Sequence, residues 1–84
     1  MAWFLYMIEC EDGSVYTGIA VNVAARFEQH KEGKGARYTR SHPPKKLLFQ
    51  KKFRDRSAAS KAEYKMKQLT AAEKWALVRK RKKA

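Results

Sequence analysis

Trp3-Phe4-Leu5-Tyr6-Met7-Ile8, the turn Glu11-Asp12-Gly13-Ser14 and Val15-Tyr16-Thr17-Gly18-Ile19-Ala20 decide the fold. The first six residues are apolar or aromatic and short, the pattern of a buried strand. Glu11 to Ser14 is turn chemistry, because Asp12-Gly13 supplies the positive φ that a hairpin needs. Val15 to Ala20 reads as a second strand. Gly18 inside it signals a bulge or a close approach of the backbone to a neighbour.

Beyond the hairpin, Asn22 is a good N-cap for a helix over Val23–Lys31, and Gly33 sits where a C′ glycine belongs. Gly33 to Pro44 reads as a long basic loop. Leu47 to Phe53 is a third strand with Phe49 and Phe53 on one face. Ser57 is assigned as cap of a second helix that runs to about Gln68. Thr70 caps a third, from Ala71 to about Val78, with Glu73 at the capping-box position. The order is β-β-α-β-α-α, an α+β domain over residues 1–78, and residues 79–84 form a basic tail that frays.

At 84 residues the chain has room for one domain. A chain this short buries only about 60% of its unfolded surface, which disfavours a large internal cofactor cavity and favours a site on one face of a sheet. A lone cysteine, Cys10, excludes an intramolecular disulfide framework. No apolar run approaches the roughly 20 residues of a membrane span. Glu9, Glu11 and Asp12 follow the first apolar stretch too soon for a signal peptide. These features read as a cytoplasmic protein with no membrane and no disulfide-linked partner. The net charge is +12, and it is unevenly spread: residues 1–33 sum to −3 and residues 34–84 to +15. A polyanion is the natural partner of such a surface, since neutralised phosphates release condensed counterions. No segment joins the basic run to a strong amphipathic face, so nucleic acid is preferred to a membrane surface.

Helix spacing sorts the chemically capable residues. Arg26 and His30 are four apart and share a face at the edge of the Val23/Phe27 stripe; alone, such a pair is more often a snorkelling arginine beside a boundary histidine. Glu63 falls on the apolar stripe of Ala59, Ala62, Met66 and Leu69, with Lys61, Lys65 and Lys67 pointing away from it. Carboxylates are rarely buried unpaired, so Glu63 is either an ion-pair partner, with Arg26 a candidate, or a metal ligand facing a concave site. Tyr6 and Tyr16 lie across the hairpin as close neighbours, either as packing with satisfied hydroxyls or as O–H groups for a phosphate or a water. Cys10, His30 and His42 lack zinc spacing, and Gly33-Lys34-Gly35 is too short for a nucleotide phosphate loop.

Taken in order, these residues resemble the GIY-YIG endonuclease domain, in particular its small stand-alone bacterial members, over about Trp3 to Val78. Phe4-Leu5-Tyr6 stands for the first signature, without its glycine, and Tyr16-Thr17-Gly18 for the second. The family arginine falls on Arg26, the Tyr-or-His helix position on His30, and the metal-binding glutamate on Glu63. Gly33 to Arg40 looks like the basic loop of the stand-alone group. Ile19 stands where some members carry lysine, and the asparagine that many carry after the glutamate is missing.

The resemblance implies a small, mainly antiparallel three-stranded sheet flanked by helices. It also implies a phosphodiester hydrolase that acts on DNA, or alternatively RNA, in repair or processing. Glu63 would hold Mg²⁺ or Mn²⁺, Arg26 would bind phosphate, Tyr6 would be base or base relay, Tyr16 would orient water or phosphate, and His30 would accept or relay the proton. Tyr6 is expected to need nearby positive charge to act at neutral pH, which Arg26 and the phosphate-bound metal could supply. Lys34, Arg37, Arg40, Lys45 and Lys46 are nominated as nucleic-acid contacts. The rivals are a nucleic-acid-binding module of the same fold with a slow or inactive site, and a structural or ribosome-associated basic protein.

Overall fold

A computed structural model describes the backbone of residues 2–83 and the side chains of residues 2–79. The hairpin pairs β1 (Trp3–Cys10) with β2 (Val15–Ala20). Its turn is closed by the Cys10 N–H, which donates to the Ser14 carbonyl at 2.9 Å, and Gly13 stands at φ 86°, a conformation that glycine adopts without a Cβ penalty. β3 (Pro44–Phe53) pairs antiparallel with the other edge of β1, giving the order β2-β1-β3.

The central strand is buried on both faces. Leu5 and Met7 look one way, Tyr6 and Ile8 the other, and none is more than 1% exposed, which is why the strand reads as a continuous apolar run and does not alternate. Leu5 and Met7 join Val15, Phe49 and Val78 in a core against α3 (Arg56–Lys67) and α4 (Ala71–Lys83), where Ala62, Met66 and Trp75 pack. Tyr6 and Ile8 join Ala20 and Val23 beneath α1 (Val23–Lys31), with Tyr16 and Phe27 beside them. Full burial of Leu5, Met7 or Ile8 contributes about 1.5–3 kcal/mol each. β3 is an edge strand, and its exposed Lys45, Lys46, Lys51 and Lys52 discourage pairing with another chain.

The element order is the expected one, with one addition. The Gly33–Pro44 segment is not all loop: it holds a short helix, α2 (Arg37–Ser41). The third strand starts at Pro44 rather than Leu47, because the first position of a strand tolerates proline. Lys45 and Lys46 are therefore strand residues, and both reach the Glu9 carboxylate, at 3.8 and 3.9 Å. Asn22 caps α1, its Oδ1 accepting from the Ala25 N–H at 3.0 Å. Thr70 and Glu73 cap α4 reciprocally.

Two helix boundaries also differ from the expected ones. Asp55, not Ser57, caps α3: its Oδ1 accepts from the Ala58 N–H at 2.8 Å, and Ser57 lies inside the first turn. α4 continues to Lys83, past the boundary read at Val78, so the segment expected to fray is helical through Lys83; Ala84 lies outside the described residues. In urea melts, Asp55→Ala is expected to lower the midpoint clearly, while Ser57→Ala leaves it nearly unchanged, because only the first orphans a helix N–H.

Candidate active site

Tyr6 sits in the middle of β1, opposite Gly18 of β2. Its ring crosses the Gly18 backbone: a Cβ there would lie 2.6 Å from Tyr6 Oη and 2.7 Å from Cζ. Gly18 is thus a glycine for space, the close approach that its position in a strand signalled. Tyr16, two residues earlier on the same face, places its ring centroid 6.3 Å from that of Tyr6. His30 descends from the last turn of α1 between them, its ring 6.0 Å from Tyr6 and 5.1 Å from Tyr16, and is 1% exposed.

Both nitrogens of this buried imidazole have partners. Nε2 lies 2.9 Å from Tyr6 Oη, and Nδ1 lies 2.7 Å from Thr39 Oγ1 on α2. The Thr39 hydroxyl donates in turn to the Ala36 carbonyl at 2.9 Å. The chain reaches His30 only because residue 35 is glycine: a Cβ on Gly35 would overlap the imidazole, 2.7 Å from Cε1 and 2.8 Å from Cγ. On the outer side, Tyr38 stacks between Tyr16 (5.8 Å, 25°) and His42 (4.0 Å, 8°), which seats α2 against the site.

Arg26, one turn before His30 and half-buried, donates from Nη1 to Gln29 Oε1 at 2.8 Å. Its charge reaches both titratable members of the buried pair. The Tyr6 pKa is pushed up to about 12, first by burial and then by Tyr16, with the Glu63 charge adding to the rise; Arg26 pulls it down through a hydrogen bond and its charge. Of the two positive charges expected to act on Tyr6, that of Arg26 is present, and by itself it is outweighed by burial. His30 is held below the ordinary imidazole range by burial and then by the Arg26 charge, so it is neutral at pH 7.

Glu63 stands on α3 with its side chain 23% exposed, and its Oε2 lies 3.3 Å from Lys67 Nζ. Lys67 thus turns toward Glu63 and not away from it, as an i,i+4 neighbour does, and Glu63 pairs with Lys67 rather than with Arg26. Among the described residues no three of His, Cys, Asp and Glu stand together as a metal cage. A single, partly exposed carboxylate fits a hard cation that keeps several waters and takes substrate oxygens, the habit of Mg²⁺. Of the nominated nucleic-acid contacts, Lys34, Arg37 and Arg40 are exposed on or just before α2, which packs against α1. Lys45 and Lys46 lie on β3, shared with Glu9.

Tyr6, Tyr16, Arg26 and His30 meet on one face, with Glu63 within electrostatic reach of Tyr6. Sequence reading missed Thr39, Gly35, Tyr38 and His42 as parts of the site. The one signal for Thr39 was a requirement: a buried histidine needs a partner for each nitrogen, and a hydroxyl in the following segment is a ready one.

Known proteins give a consistent picture. Residues 2–76 match the family described as the GIY-YIG catalytic domain. A UPF0213 protein of Desulfotalea psychrophila is 51% identical over 93% of this chain and 72% of its own length. One from Staphylococcus aureus is 42% identical over 93% of this chain and 95% of its own. The solution structure of a UPF0213 protein from Bacillus halodurans is similar at 40% identity and a TM-score of 0.58, covering 93% of this chain and 83% of that one. A protein of E. faecalis solved in solution is 32% identical with a TM-score of 0.66, over 100% and 90%.

Two outcomes are expected. Gly35→Ala should destabilise the protein by roughly 1–3 kcal/mol, as overpacking does, and by much less in a His30→Ala background, where the ring it strikes is gone; a double-mutant cycle of urea melts reads the difference. For pH, the folded-state pKa of His30 lies below its ordinary 6.5, so the unfolded chain binds the proton more tightly. Its contribution to stability is full above pH 6.5 and is lost as pH falls through the folded value. The slope of stability against pH just below 6.5 should flatten in His30→Gln.

Proposed function

Since the chain belongs to the GIY-YIG catalytic-domain family, a family of nucleases, we propose that it is a GIY-YIG-type endonuclease, hydrolysing phosphodiester bonds in DNA with Mg²⁺ or Mn²⁺. The observation that carries this reading is the buried contact of Tyr6 Oη with His30 Nε2 at 2.9 Å, with the Arg26 guanidinium near enough to act on both. A phenol, a neutral imidazole and a guanidinium on one face supply a proton acceptor, a proton store and a phosphate binder.

The raised pKa of Tyr6 favours its protonated form at neutral pH, which supports a relay role over that of a free phenolate base. When a proton from the attacking water reaches Oη, the phenolic proton passes to His30 Nε2, and no buried phenolate builds up. Arg26 donates to the phosphate oxygens, where charge develops. Tyr16 orients water or phosphate. Glu63 would hold the cation, which when bound offsets charge on the phosphate and the leaving oxygen. Arg37, Arg40 and Lys34 bind the DNA backbone, and Lys45 and Lys46 contribute less because each already faces Glu9. DNA repair or processing in the cytoplasm is the setting this activity suits, and among the described residues no helix is long and apolar enough to cross a membrane.

A cleavage assay on single-stranded, duplex and branched DNA, with Mg²⁺, Mn²⁺ or EDTA, tests the reading. Tyr6→Phe should lower the rate by about 10²–10⁴-fold, the usual contribution of a general acid–base group. Glu63→Gln should abolish cutting while DNA binding persists. Its stability should change by no more than about 1 kcal/mol, since its partner Lys67 is solvent-exposed and such pairs are weak. DNA binding without cutting under every metal condition would instead assign the chain as a binding module. For binding itself, Arg37→Ala with Arg40→Ala should reduce the log–log salt slope by roughly 2, at about 0.9 per phosphate contact.

A further inference from the structure

We infer that Thr39 is a positioning residue that fixes His30 as its Nδ1–H tautomer, and so makes the Tyr6 oxygen a proton acceptor toward substrate. The geometry stands by itself; the consequence for cleavage rests on the nuclease reading.

The Thr39 hydroxyl has one hydrogen, and two groups lie within reach of its oxygen: the Ala36 carbonyl at 2.9 Å and His30 Nδ1 at 2.7 Å. The carbonyl can only accept. If the hydrogen goes to the carbonyl, Oγ1 has only lone pairs left for His30, and Nδ1 must carry the proton. Burial and the Arg26 charge keep the imidazole neutral, so Nε2 is then bare and must accept. The group it faces is Tyr6 Oη at 2.9 Å, whose own hydrogen lies along that contact.

The opposite arrangement leaves Nδ1 bare, accepting from Thr39. The Ala36 N–H, 3.4 Å from Nδ1, would favour it. That contact is at the long limit for an N–H donor. Choosing it removes the shorter Thr39–Ala36 bond and leaves a part-buried carbonyl without that donor, which costs more than a long amide contact returns. The Nδ1–H form keeps all three short contacts, each with one hydrogen.

The tautomer sets the direction in which Tyr6 works. With Nε2 bare, the phenolic hydrogen is committed to His30, and the acceptor capacity of Oη that Arg26 leaves open takes a hydrogen bond from water. The water O–H bond breaks and its electron pair stays on the oxygen that attacks phosphorus. That proton bonds to Oη while the phenolic proton moves to Nε2. The imidazolium is held by its Nδ1–H to Oγ1, and the P–O bond to the leaving oxygen breaks, the electron pair staying on that oxygen, which takes a proton from solvent. The stored proton returns through Tyr6 to solvent after product release. With Nε2 protonated instead, His30 donates to Oη, and the phenol keeps its own hydrogen. Tyr6 could then donate to a phosphate but could not take a proton from water and pass it on.

Imidazole ¹⁵N NMR of the wild-type protein and two variants is the test, with single-turnover DNA cleavage measured alongside. The wild type should show His30 protonated at Nδ1 and bare at Nε2. Thr39→Val keeps the side-chain shape and removes the acceptor, so the population should move to Nε2–H and cleavage should fall by roughly 10–100-fold, by analogy with groups that orient metal-bound histidines. Thr39→Ser should restore the tautomer and most of the rate. A wild-type His30 found as Nε2–H, or a Thr39→Val protein that keeps Nδ1–H, overturns the inference. The wild-type spectrum decides the assignment even where the valine variant folds poorly. A correct tautomer in a protein that cuts no DNA supports the assignment and contradicts the nuclease reading.

Discussion

An imidazole with no access to water must find a partner for each of its two nitrogens, and the site is built around that demand. His30 is carried to the sheet by α1, and α2 folds over it from the other side. Tyr6 meets one nitrogen and Thr39 the other. The two glycines that touch the site follow from it: Gly18 gives the Tyr6 ring room to lie across β2, and Gly35 lets the chain close on the imidazole. Neither has a positive φ among the described backbone, so both are there for lack of a side chain and not for conformational freedom.

Burial and charge act against each other in this site, and burial wins on Tyr6. Arg26 alone would make the phenol more acidic, but the loss of water and the neighbouring Tyr16 carry its pKa the other way. The same burial lowers the imidazole. A phenol that holds its proton beside a neutral imidazole is a pair that can hand a proton on, the charge settling on the imidazolium and no buried phenolate building up. Glu63 is under different rules. It is partly exposed and neutralised by Lys67 on its own helix, so a cation that takes Glu63 displaces an ammonium and leaves no buried charge behind.

Much of this was legible in the sequence, and what was not has physical reasons. The hairpin followed from Asp12-Gly13 between two apolar runs, and the cap of α1 from Asn22. The reciprocal cap at Thr70 and Glu73 was equally local. The meeting of Tyr6 with His30 depended on helix spacing and strand register together, and the family resemblance joined them. The short helix α2 was hidden because its residues are basic and polar and its one buried side chain, Thr39, gives no apolar period. Thr39 became visible only with the tertiary contact. Asp55 was passed over for Ser57 because both are good caps, and only the backbone shows which residue stands outside the first turn. Lys67 was assigned to the solvent side from its position, although an i,i+4 spacing from Glu63 already allowed the pair.

The central claim is that Tyr6 passes a proton to His30 and does not act as a phenolate. The dependence of the DNA-cleavage rate on pH, at saturating divalent cation, tests it most directly. Tyr6, Tyr16, Arg26 and Thr39 face His30 from the strands and helices around it, and Glu63 acts through Tyr6. With His30 as the proton store, the rate should rise with pH below the ordinary imidazole value of 6.5 and then level off through neutrality. A rate that instead climbs steadily on the alkaline side toward the Tyr6 value of about 12 would mean that the phenolate is the base, and would contradict the relay.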